Sequence, residues 1–83
     1  MIISSPTVLA EYARDRRKRM GLNQSEVGDR TGVRQVTVSA FENRPASTKL
    51  ETLFKLLSAL ELELQVVPKE QASNANQGWD EEW

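Results

Sequence analysis

Through the first sixty positions the apolar residues recur at helical spacing, and after that they switch to alternation. Ser5-Pro6 opens the first helix, with Ser as N-cap and Pro at the first helical position. Leu9, Tyr12, Ala13 and Met20 hold one face to about residue 20, where Gly21 supplies a left-handed stop. Asn23 caps a second, short helix, and Glu26 three residues on completes a capping box. That helix stops at Thr31-Gly32. A third runs from about Arg34 to Asn43, with Val38 and Phe41 facing inward. Pro45 cannot continue it, so Arg44-Pro45-Ala46-Ser47 forms a loop. Ser47 or Thr48 then caps a fourth helix with the apolar stripe Leu50, Leu53, Phe54, Leu57 and Leu60.

From Glu61 the pattern alternates polar and apolar to Val67, and Pro68 stops it. A half-buried strand is predicted, with Leu62, Leu64 and Val66 on one face. The alternative is that this stretch extends the fourth helix, since Leu and Glu are good helix formers. One strand cannot satisfy its own backbone, and no second strand is visible, so pairing with the same strand of a second copy about a two-fold axis is expected. Residues 69–83 are polar and poor in apolar side chains, and predict a flexible acidic tail. The division is therefore 1–61 for a helical domain, 62–68 for a dimerisation strand and 69–83 for the tail. The fold class is mainly α, a four- to five-helix domain with one C-terminal strand.

The window from Asn23 to Asn43 is the most specific part of the chain. Gly32 tolerates the positive φ that a tight turn between two helices needs. Gly28, four residues earlier, allows those helices to approach closely. Val27, Val33, Val38 and Phe41 supply the buried face. Together these features predict a helix-turn-helix that presents its second helix to the major groove of DNA. Its outward residues, Arg34, Gln35, Val36, Thr37 and Ser39, are the candidates for base contact, with Ala40 nearby. Arg pairs bidentately with guanine, Gln with adenine, and an exposed Val meets a thymine methyl. Gln24, Arg30, Arg44, Ser47, Thr48 and Lys49 are the phosphate candidates. Arg17 is expected to pair with Glu42 and lock the first helix to the third.

Net charge qualifies this picture before supporting it. The overall value of −1 argues against binding a polyanion. The charge is split, however. Residues 1–60 carry ten Lys/Arg against six Asp/Glu, while residues 61–83 carry one Lys against six Asp/Glu. A basic body and an acidic tail suggest two partners of opposite character. With no His, no Cys and no Gly-rich phosphate loop, the 83 residues suggest no enzyme, no metal site and no cofactor. No stretch has the length of a membrane span or the form of a signal peptide, which is the expectation for a cytoplasmic protein.

Gln24-Ser-Glu-Val-Gly, Gly32-Val33, Val38-Ser39 and Phe41-Glu-Asn43 resemble the Cro/C1, or XRE-like, helix-turn-helix class. Ser5-Pro-Thr-x-Leu9, Gln35-x-Thr37-x-Ser39, Leu60-Glu-Leu62-x-Leu64 and the terminal Glu82-Trp83 narrow the likeness to HipB-type antitoxins. The resemblance implies a homodimer that binds palindromic operator DNA and represses its own operon. It also implies binding to a HipA-like serine/threonine kinase toxin associated with persistence, through a tail in which Trp83 takes the leading part, with Glu82 beside it. Trp79 is a further aromatic of the tail without a counterpart in the family. Arg16 stands where such helices usually carry an apolar residue, which predicts a looser or shifted first helix. Exposed tryptophan is a frequent binding anchor, and Asp80, Glu81 and Glu82 would steer it to a basic pocket. The competing function is a stand-alone phage- or plasmid-type repressor without a toxin partner.

Overall fold

The computed structural model describes residues 2–69, so Trp79, Glu82 and Trp83 lie outside the described residues. Among the described residues four helices follow one another: α1 (Pro6–Arg19), α2 (Gln24–Thr31), α3 (Gln35–Asn43) and α4 (Leu50–Ala59), with a 3-10 turn at Pro45–Ser47. Their ends are set by local chemistry. Ser5 Oγ accepts the Val8 N–H at 3.2 Å. Asn23 and Glu26 close a reciprocal capping box at 2.8 Å in each direction. The α1 C-terminus is a Schellman motif: Gly21 sits at φ +74°, its N–H bonds Lys18 O, and the Leu22 N–H bonds Arg17 O at 3.1 Å.

α3 starts at Gln35, because Arg34 holds an extended N-cap conformation. α4 starts at Leu50 after Lys49, and neither Ser47 nor Thr48 caps it. The reason is the 3-10 turn. Pro45 initiates it, the Ser47 and Thr48 amides bond back to Arg44 O and Pro45 O, and Thr48 is extended.

α2 packs on α3 and α4, while α1 packs on α3 and the 3-10 turn. Ala10, Ala13, Val27, Val38, Phe41, Leu56, Ala59 and Leu60 form the shared core. The α4 stripe is rotated from the predicted one. Leu56, Leu57, Ala59 and Leu60 are inward, whereas Leu50 and Phe54 stay 70% and 53% exposed.

α4 does not extend past residue 60. It ends in a second Schellman motif, with the Leu62 N–H on Leu57 O at 2.9 Å and the Glu61 N–H on Ser58 O at 3.0 Å. Glu61 takes the left-handed position at φ +58°, where glycine is usual. Residues 62–68 carry neither helix nor strand, so the predicted strand is absent from the single protomer. A ladder needs a partner backbone, and one chain offers none here. The predicted face also divides. Leu62 packs against the core, while Leu64 and Val66 are 50% and 86% exposed.

Arg16 does not loosen α1. Its Nε donates to Leu60 O at 3.0 Å, tying α1 to one of the open carbonyls at the α4 C-terminus.

Candidate nucleic-acid interface

The α2–α3 turn depends on two glycines. Gly32 sits at φ +74°, and Gly28 lies so close to the backbone leaving the turn that a Cβ there would collide with the Val33 carbonyl oxygen. The Val33 N–H bonds Gly28 O at 2.9 Å, so the close approach is also a hydrogen-bonded one. Val38 and Phe41 anchor the inner face of α3, which turns Gln35, Val36, Thr37, Ser39 and Ala40 away from the deepest core.

Behind α3 lies a polar hub. Arg17 Nε and Nη2 grip both oxygens of Glu42 at 2.7 and 3.1 Å, and Arg17 Nη1 donates to Leu22 O at 2.9 Å. The two side chains are only 11% and 6% exposed. Gln24 Nε2 adds a bond to Glu42 Oε1 at 3.0 Å, and Arg14 Nε lies 3.9 Å from the same oxygen. Burial alone would raise the Glu42 pKa. The hydrogen bonds from Arg17 and Gln24 and the charges of Arg17 and Arg14 outweigh it, so the carboxyl titrates below its ordinary value. The hub then reaches the surface, where Gln35 Nε2 donates to Gln24 Oε1 at 2.7 Å.

The predicted contact residues converge in part. Gln35, Val36, Ser39, Ala40, Asn43 and Arg44 line one shallow depression. Val36, Thr37 and Ala40 continue into a second, with Arg44, Ser47, Thr48, Lys49 and Thr52. Gln24 and Gln35 meet in a third, beside Asn23 and Ser25 at the N-terminus of α2. α3 is thus flanked by polar groups at Gln24 on one side and by Arg44 to Lys49 beyond its end. That layout suits base edges under α3 and phosphates at both flanks.

Two positions fall differently. Arg34 is exposed as the residue preceding α3, at the rim of this surface. Arg30 does not join it: Nη1 donates to Ala59 O at 3.2 Å and lies 3.9 Å from Glu61 Oε2. In this position it closes the α4 C-terminus, where open carbonyls attract a cation. Asn43, not among the predicted contacts, is on the surface, and its Nδ2 donates to Ser39 Oγ at 3.2 Å. Its signal in the sequence was its position four residues after Ser39, on the same face of α3.

The helix-turn-helix family HTH_3 matches residues 14–67. Antitoxin HipB of Escherichia coli O6:H1 (strain CFT073) is 42% identical over 82 residues, 98% of this chain and 87% of that protein. The chain belongs to the HipB family of helix-turn-helix antitoxins. HipB of Escherichia coli K12 is likewise 42% identical, over 86% of this chain and 81% of its own. Solved chains from a HipA-HipB-O2-O3 complex and from a HipB-O4 20mer complex each match with a TM-score of 0.80 and 40% identity. Each match covers 83% of this chain and 97% of the solved one. The HipB fold is therefore shared across the helices that form the surface described above. Among the described residues no helix is long and apolar enough to cross a membrane.

Proposed function

We propose that this protein is a dimeric, sequence-specific repressor that doubles as an antitoxin, autoregulating its operon in the cytoplasm and neutralising a HipA-like serine/threonine kinase. The α3 surface carries the reading: exposed amide, hydroxyl and methyl groups between two polar flanks. HipB structures that resemble this chain include complexes with HipA and with operator-type duplexes, which supports both partners. Gln35, Val36, Thr37 and Ser39 read bases, with Arg34 at the rim. Gln24, Arg44, Ser47, Thr48 and Lys49 hold phosphates. Because α3 is short, one protomer spans only a half-site, and a second copy supplies the other. Leu62, Leu64 and Val66 would complete a strand across the two-fold axis, making 62–68 the dimerisation segment and 1–61 the DNA-binding domain. Ile3, Leu50, Leu53 and Leu64 line an apolar groove of about 610 Å³ beside that segment, an area a second copy could cover.

Residues 69–83 take the toxin on this account, through Trp79, Glu82 and Trp83. Similarity to HipB over 98% of the chain favours the antitoxin over a stand-alone repressor, which needs no such tail. Deleting residues 70–83 tests the division. Operator affinity of the dimer is expected to hold, while affinity for the kinase encoded beside it falls at least tenfold by calorimetry. Kinase affinity equal to that of the full chain would return the protein to the stand-alone class.

A further inference from the structure

Glu42 is the one ionisable side chain of α3, and it points inward. Everything bonded to its oxygens is a donor: Arg17 Nε, Arg17 Nη2 and Gln24 Nε2. An ionised carboxylate only accepts, so Gln24 can address it only through its NH2 group. The Gln24 carbonyl oxygen is thereby sent the other way, where Gln35 Nε2 donates to it. One N–H of Gln35 is then spent. What remains for a ligand is one N–H and the carbonyl oxygen, the donor–acceptor pair that matches adenine N7 and its N6 amino group.

The opposite orientation of the chain would present something else. If Gln24 turned its NH2 outward, Gln35 would accept through its oxygen and keep two N–H donors. That set suits the two acceptors of guanine, N7 and O6.

We propose that Glu42 is a specificity-determining positioning residue, whose pairing with Arg17 sets the direction of the Gln24 amide and, through it, makes Gln35 select adenine over guanine. Glu42 touches no DNA in this scheme and acts only through Gln24. The low titration of its carboxyl keeps it an acceptor across the neutral range. The proposal rests on α3 being the DNA-reading helix.

The test is selection by the full-length protein from a randomised duplex library, read by sequencing, with selected duplexes re-measured by anisotropy. Gln35→Ala first marks the base pair that Gln35 reads, as the one position where preference vanishes. Wild type is expected to favour adenine over guanine there by about fivefold to a hundredfold. Glu42→Gln, whose amide can donate or accept, should bring that ratio close to one and leave preferences at the other positions intact. Gln24→Ala should do the same, and adding Glu42→Gln to it should change nothing further. Gln24→Ala leaves the Arg17–Glu42 pair in place, so it decides the matter if Glu42→Gln does not fold. A wild-type ratio in a folded variant overturns the relay, as does an equal loss of preference at every position. A wild type that enriches no sequence overturns the DNA reading itself, and the relay falls with it.

Discussion

At the α2–α3 end the polar and strained positions are answered within one chain. Gly28 and Gly32 accommodate the turn, Arg17 and Glu42 neutralise one another, and Gln24 passes the network on to Gln35. At the α4 end the chain is left open. Leu50, Phe54, Leu64 and Val66 are exposed, a glutamate occupies a glycine-favouring conformation, and residues 62–68 lack a ladder partner. The contrast suggests a protomer that arrives at DNA with its reading surface already organised. Its other end is the one that the proposed second copy would cover. Preorganisation at the first end lowers the ordering cost of binding. Closing the second with another copy would couple folding stability to protein concentration.

Breaking the closed end should have the largest effect. Arg17→Met leaves Glu42 buried without its main partner, and is expected to cost about 3–5 kcal/mol in chemical denaturation. A loss near zero would mean that the hub does not hold α1 to α3. The open end should respond in a different currency. Leu64→Asp is expected to weaken dimerisation by about a hundredfold or more in sedimentation experiments, because a charge would be buried between two chains. The helical signal of the monomer at fixed concentration should change little. A dimer as tight as wild type would put the interface elsewhere.

Acidity sharpens the comparison at a smaller scale. The folded pKa of Glu42 lies below its ordinary value of 4.5. Its contribution is therefore complete above the unfolded value and is lost as pH falls through the folded one. Melting curves of wild type and Glu42→Gln should differ by a constant gap down to about pH 5, and the gap should close below that. A gap that does not narrow at all as pH falls below the unfolded value would assign the effect to shape rather than charge. The open end holds no buried carboxylate among the described residues: Glu61 is 69% exposed in its contacts with Arg16 and Arg30.

The same contrast governs what the sequence alone could reveal. Ser5, Asn23 with Glu26, Gly21 and Gly32 are local signals, and each marks a helix end where it stands. The candidate contacts on α3 follow from its own periodicity once Val38 and Phe41 are taken as inward. The carbonyl partners of Arg16 and Arg30, Leu60 O and Ala59 O, lie 44 and 29 residues away, so the sequence does not show that these arginines meet the α4 C-terminus. Nothing local announces where the C-terminus of α4 will fall. The caps expected at Ser47 and Thr48 failed because Pro45 started a tighter turn that used their amides. The width of the α4 stripe was legible, but not which edge of it would remain outside. The alternation at 62–68 was no guide to the single protomer, because a strand there would need a second backbone to pair with.

The central claim is that α3 reads base sequence. Its most direct test is an anisotropy titration of wild type and Gln35→Ala against two duplexes, one from upstream of the gene and one of scrambled sequence. Wild type should prefer the upstream duplex by about a thousandfold or more at physiological salt. Gln35→Ala should lose about 1–3 kcal/mol on that duplex and nothing on the scrambled one. An equal loss on both duplexes would reduce Gln35 to a general contact and contradict the account.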